Sequence, residues 1–167
     1  IAFNTKNRFN MKVLYAVIAG LGPTAAMTAF LYLLSYATHR VMKVTRILGT
    51  MLMNRTQPDG SLSEATNTKV YGTVAHYLAG IIFALFYIAL WHSEVGRINA
   101  SWGFLFGLAH GLMAMFIWYL FFMVHPRPPI IALRSYLTTL VFAHIVYGLV
   151  LTYTVYLLAK PDYSFWS

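Results

Sequence analysis

The sequence predicts an all-α integral membrane protein, a four-helix bundle with an additional basic amphipathic surface helix after the first span. Of its 167 residues, 59% are apolar and only 10% are charged, whereas about 25% of the residues of an average soluble domain are charged. Four apolar stretches reach the length of about 20 residues that crosses a bilayer core about 30 Å thick. We expect spans at residues 11–37, 70–91, 101–124 and 133–158 of one transmembrane domain, residues 1–167.

The charged residues are distributed as a membrane protein requires. All four acids lie in connections or in the tail, because an uncompensated charge in the membrane centre costs several kcal/mol. The net charge of +8 comes from Lys and Arg at helix ends, where these side chains reach lipid headgroups. We therefore expect the lipid bilayer as a partner and no nucleic acid. The absence of Cys excludes disulfides, thiolate catalysis and iron–sulfur clusters.

The predicted surface helix covers residues 39–55. Apolar residues recur there at helical spacing, and Arg40, Lys43 and Arg46 lie largely on the other face. This pattern is typical of a helix on a membrane surface, so we expect the three basic side chains to contact lipid headgroups. The alternative is an extension of the first span into water. Residues 56–69 read as a polar loop, and the short connection after the second span predicts that the second and third spans are antiparallel neighbours.

Each span carries small or polar residues at four-residue spacing, which places them on one helix face. Lipid tails solvate Leu and Phe as well as protein does, so membrane helices associate where small residues let their backbones approach. We therefore expect these stripes to form the helix contacts, and Pro23 predicts a kink. The stripes are Ala16, Gly20, Thr24 and Thr28 in the first span, Gly72, His76, Gly80 and Ala84 in the second, Gly103, Gly107 and Gly111 in the third, and His144, Gly148 and Thr152 in the fourth.

Three histidines, His76, His110 and His144, lie within the spans, each after an alanine. A helical rise of about 1.5 Å per residue places them in a common layer. Ionisable residues at this depth mark cofactors, proton paths or substrate sites by default. The three are therefore candidate cofactor-binding residues: haem b held by two histidines, or chlorophyll held by one, suits the glycines one turn away. A metal ion suits the layer less well, because no carboxylate or thiolate shares it.

The simpler interpretation is that the layer binds no cofactor. Neutral imidazoles would then form hydrogen bonds across the bundle, each worth about 0.6 kcal/mol. Candidate partners are Thr24, Thr28, Tyr147 or a backbone carbonyl. We expect this arrangement ahead of a macrocycle or a proton path.

Several short motifs carry a resemblance to known proteins. They are Gly20-x-x-x-Thr24-Ala25-Ala26-Met27-Thr28, Leu48-Gly49-Thr50-Met51-Leu52, Ala75-His76 followed by Phe83-Ala84-Leu85-Phe86-Tyr87, Gly103-x-x-x-Gly107-x-x-His110-Gly111, His125-Pro126 and Ala143-His144-x-x-Tyr147-Gly148. The pattern resembles the bacterial YagU-like four-helix membrane proteins, over nearly the whole chain. The heavy aromatic content and the proline-rich connection before the last span depart from it. The resemblance implies a four-helix fold in a bacterial inner membrane and, because that family lacks an assigned chemistry, no mechanism.

No catalytic motif is present in the sequence: there is no HExxH, no Gly-rich phosphate loop and no Ser-His-acid set. We therefore expect a non-catalytic membrane protein, an accessory or structural subunit of a larger complex with other membrane subunits as partners. One alternative is an electron-transfer or pigment protein that binds haem or chlorophyll through the buried histidines. The other is a small-solute transporter or channel, in which Pro23 breaks a helix beside a polar path.

Overall fold

Five helices form the described part of the chain. The computed structural model describes residues 5–160, 162 and 164–166, without the side chains of residues 5–14 and 16. The helices are α1 (Thr5–Thr38), α2 (Val44–Leu52), α3 (Thr66–His92), α4 (Ala100–Val124) and α5 (Leu133–Ala159). Four of them, α1 through its Val17–Thr38 segment, are long and apolar enough to cross a membrane. The expected all-α fold is confirmed, and the chain is an integral membrane protein.

The helix after the first span is shorter than predicted and is packed into the bundle. The chain leaves α1 at His39, whose φ of 52° is left-handed, and α2 covers only Val44–Leu52 instead of residues 39–55. Gly49 lies directly on α3, since a Cβ there would lie 3.1 Å from the backbone nitrogen of Gly72. Val44, Ile47 and Met51 are buried. Helix α2 therefore covers the beginning of α3.

The order of packing differs from the order along the chain. The close backbone contacts join α4 to α5, α5 to α1, α1 to α3, and α3 to α2. Helices α3 and α4 are neighbours, as expected from their short connection, but their backbones are not closely packed. They meet through side chains, such as Phe83 and His110, whose ring centroids are 3.9 Å apart. The reason is that the glycines of α4 face α5.

The predicted stripes lie at the helix contacts. A Cβ at Gly107 of α4 would lie 2.7 Å from the carbonyl oxygen of His144, and one at Gly148 of α5 would lie 2.7 Å from Cα of Gly107. Backbones can approach this closely only where a side chain is absent. The other stripe glycines at which a Cβ would crowd a neighbouring helix are Gly20, Gly72, Gly80, Gly103 and Gly111. Ala16 lies outside the described side chains.

At one end of the bundle, hydrogen bonds join α2 and the loop after it to the connection before α5. His125, just after α4, donates from Nε2 to the carbonyl of Met51 at 2.8 Å. The Ile130 N–H donates to the carbonyl of Gly60 at 2.8 Å, and the Thr56 hydroxyl donates to the carbonyl of Arg127 at 2.6 Å. The loop after α2 and the connection before α5 are thereby held together.

Glu64 joins α2 to α3 at the same end. Its carboxylate pairs with Arg46 of α2 and lies 2.9 Å from Nζ of Lys69 in α3. The hydrogen bond from Lys69, followed by the charge of Arg46, lowers the pKa of Glu64. Arg40 donates to the hydroxyl of Ser135, so two of the three expected headgroup ligands have protein partners. The third, Lys43, immediately precedes α2.

Gly107→Ala should destabilise the bundle by about 1–3 kcal/mol, because the new methyl group meets the α5 backbone, which cannot move aside as a side chain can. The matched control is Gly22→Ala in α1, whose Cβ would meet nothing within 4 Å. The free energy of unfolding in mixed detergent micelles, measured for both variants, checks this. Equal effects of the two substitutions would contradict the packing described.

Lowering the pH should loosen α2 through protonation of Glu64. Because its pKa is lower in the folded protein, the ion pairs contribute fully above the ordinary value of 4.5 and are lost as the pH falls through the lowered pKa. We expect amide hydrogen exchange in α2, corrected for intrinsic rates, to be unchanged from about pH 7 to about pH 5 and to accelerate below. Glu64→Gln should remove this dependence, whereas Glu94→Gln, at the opposite end of the bundle, should preserve it.

Candidate functional site

The three intramembrane histidines surround one cavity at the middle of the bundle. His76 and His110 each follow the first residue of their helix by ten residues, and His144 follows by eleven. That distance corresponds to about 15 Å of helical rise, half of a bilayer core about 30 Å thick. All three side chains line a cavity of about 220 Å³ and are buried. The structure thus brings together the candidate residues that the sequence places on three different helices.

The cavity lies between α3 and α4, where the two backbones are not closely packed. Helices α5 and α1 form its floor, and Val44 and Leu48 of α2 close one end. At its outer edge Met113 and Ile117 of α4 are 42% and 52% exposed. Because this outer surface faces lipid in a membrane, the cavity extends to the lipid side of the bundle. The aromatic side chains that line it are Phe83, Trp118, Phe121 and Tyr147.

His76 is held by α1. The Thr28 hydroxyl donates to the carbonyl of Thr24 at 2.7 Å, and its oxygen lies 3.0 Å from Nε2 of His76. A hydroxyl has one hydrogen, which the carbonyl already accepts, so Nε2–H of His76 is the donor to Thr28. In the neutral ring Nδ1 then carries a free lone pair.

His144 has the opposite tautomer. Its Nδ1 lies 2.7 Å from the carbonyl oxygen of Leu140, one turn earlier in α5. A carbonyl only accepts, so Nδ1 carries the hydrogen. Burial at bilayer depth keeps the imidazole neutral because a charge there is costly. Nε2 of His144 is therefore an acceptor.

The lone pairs of His76 and His144 have no partner within the part of the chain that the structure describes. Neither nitrogen is fully enclosed by the described part of the chain. Both side chains line the cavity, so the two acceptors remain accessible from it.

His110 completes the layer from α4. Its ring lies 4.4 Å from that of His144 and packs on Phe83, and its Nδ1 is 3.4 Å from the hydroxyl oxygen of Tyr87. Either partner can donate in this last contact, so His110 can present either a donor or an acceptor at Nε2. The Tyr147 hydroxyl donates to the carbonyl of Gly80 at 2.6 Å and thereby connects α5 to α3 beneath the cavity.

A macrocycle does not fit between His110 and His144. Two imidazole nitrogens bound to one metal at about 2.0 Å each would be about 4 Å apart, with the ring centres farther apart still. The observed centroids are only 4.4 Å apart. The cavity is also smaller than the roughly 300–1,000 Å³ of sites for drug-sized ligands, and haem and chlorophyll are larger than such ligands. Among the described residues, no group of three or more His, Asp or Glu side chains is placed to hold a metal ion.

Phe83 and Tyr87 are site residues that the sequence reasoning did not single out. Phe83 lines the cavity and covers one face of His110, and Tyr87 contacts its Nδ1. They follow His76 by seven and eleven residues on α3. This spacing places all three on one helix face, which is the signal that identifies them.

Comparison with protein-family models, with curated proteins and with solved structures gives no match to this chain. The resemblance to YagU-like proteins stays a prediction from the motifs. The function is therefore inferred from the geometry of the site.

Proposed function

We propose that the chain is a non-catalytic protein of the bacterial inner membrane that binds a small, mostly apolar molecule taken up from the lipid phase. The observation that carries this proposal is the cavity of about 220 Å³ between α3 and α4, with three imidazoles at mid-depth and an edge on the lipid side. An apolar cavity of about 150 Å³ is enough to bind benzene. The present cavity suits a molecule somewhat larger than that.

The chemistry of the lining supports binding. Ligand sites are mainly apolar with a few convergent polar groups, and this cavity follows that pattern. The bonds of Tyr147 to Gly80 and of His76 to Thr28 fix the polar groups before a ligand arrives, which lowers the cost of ordering on binding.

The types of side chain that line the cavity favour ligand binding without catalysis. Among the described residues that line the cavity there is no Asp, Glu, Lys or Arg. Acid–base catalysis by paired carboxylates and ion-coupled transport both need such groups. The transporter or channel alternative stays a prediction without support from a charged pathway.

A role as an accessory subunit of a larger membrane complex is the second proposal. Phe86, Met113 and Ile117, on the sides of α3 and α4, are 54%, 42% and 52% exposed. A partner transmembrane helix over this side would cover them and enclose the ligand. Blue-native electrophoresis of membranes solubilised in mild detergent should then show the chain in a larger species, and migration of the chain alone would contradict the subunit role.

Ala79→Phe should abolish ligand binding by filling the cavity, since Ala79 of α3 lines it and is half-buried. The matched control is Ala89→Phe, an exposed alanine on the same helix outside the cavity lining. Toluene binding to the full chain in detergent is measured by saturation-transfer NMR. We expect it for the wild type and for Ala89→Phe. Equal signals from all three proteins would show only partition into detergent and would contradict the proposal.

A further inference from the structure

We infer that the ligand carries a phenolic hydroxyl, which donates a hydrogen bond to Nε2 of His144. The inference rests on the proposed function, because it specifies the ligand of the same cavity. It is based on the hydrogen-bond donors and acceptors of the histidine layer that have no partner within the protein.

The side-chain donors that α1, α3 and α5 place around the cavity are already used within the protein. The Thr24 hydroxyl donates to the carbonyl of Gly20 at 2.7 Å, and the Tyr147 hydroxyl donates to that of Gly80 at 2.6 Å. His76 donates from Nε2 and His144 donates from Nδ1, as described above. The groups that these three helices leave open are therefore lone pairs, whereas on α4 the indole N–H of Trp118 lies eight residues beyond His110.

Open lone pairs select a ligand that donates. A ketone, ether or ester would bring further acceptors and leave Nε2 of His144 unsatisfied, and an unpaired buried polar group is costly. A hydrocarbon would also leave Nε2 of His144 unsatisfied. A hydroxyl supplies the missing hydrogen.

In one of its two tautomers, His110 favours a hydroxyl over a group that only donates. When the Tyr87 hydroxyl donates to Nδ1 of His110, across 3.4 Å, Nε2 of His110 carries a hydrogen. The rings of His110 and His144 are 4.4 Å apart. Both rings line the cavity, so a hydroxyl there can accept from His110 while it donates to His144.

The walls and the volume indicate an aromatic body for the ligand. Phe83, Trp118 and Phe121 line the cavity, and aromatic rings favour offset and edge-to-face contacts with one another. About 220 Å³ exceeds the roughly 150 Å³ that holds benzene, which leaves space for one ring with small substituents. Water can satisfy the same nitrogens but not the apolar walls.

The phenolic group could belong to a free phenol or to the ring of a lipid-soluble hydroquinone. In the second case the tail would leave between α3 and α4, past Met113 and Ile117, on the lipid side. The recognition chemistry is the same for both.

The test compares para-cresol with para-xylene, in which a methyl group of nearly the same size replaces the hydroxyl. Binding to the full chain in detergent is measured by saturation-transfer NMR, with the Ala79→Phe signal subtracted to remove partition. We expect para-cresol to bind about fivefold tighter, the usual worth of one hydrogen bond. His144→Phe should bring the ratio close to one while para-xylene still binds, and His92→Phe, at the end of α3, should leave it unchanged.

The outcomes are distinct. Equal binding of para-cresol and para-xylene to the wild type would overturn the phenolic assignment and leave the proposed function intact, and this comparison stands even if His144→Phe fails to fold. Absence of binding by both would overturn the proposed function as well. Decylhydroquinone that displaces para-cresol more strongly than para-cresol displaces itself would identify the lipid-soluble source, and weaker displacement would identify a free phenol.

Discussion

The backbone contact between α4 and α5 is the constraint on which the rest of the structure depends. At Gly107 and Gly148 the two helices are so close that no side chain fits between them. Lipid offers no hydrophobic driving force for helix association, so close packing of this kind must hold the helices together. Because the glycines of α4 face α5, they are not available for a close backbone contact with α3. The gap between α3 and α4 follows from this packing of α4 against α5.

The gap explains why the three histidines border a cavity. His144 and His110 are brought side by side by the α4–α5 contact, and His76 is positioned by α1 through Thr28. The hydrogen bond from Tyr147 to Gly80 keeps α3 and α5 at a fixed separation. Helix α2 and the hydrogen-bonded loops close the end of the bundle next to the cavity. The result is a cavity whose polar floor lies at bilayer depth and is reached from the lipid side.

Much of this was predictable from the sequence because composition and spacing are local properties. The four spans follow from apolar length, and the shared layer of His76, His110 and His144 follows from the helical rise. The packing order was not predictable, because a short connection makes α3 and α4 consecutive without making their faces complementary. The extent of α2 was missed because the basic residues suggested a surface helix, whereas Gly49 packs against Gly72 of α3. The tautomers of the histidines depend on the partners Thr28 and Leu140, which only the fold brings within hydrogen-bond distance.

The most direct test of this account is nitrogen-15 NMR of the histidine side chains in the full chain, reconstituted in bicelles. We expect neutral rings, with the hydrogen on Nδ1 of His144 and on Nε2 of His76, and a signal from Nε2 of His144 that shifts when para-cresol is added. A charged His144, or a neutral ring with its hydrogen on Nε2, would contradict the claim that the cavity presents a free acceptor to its ligand.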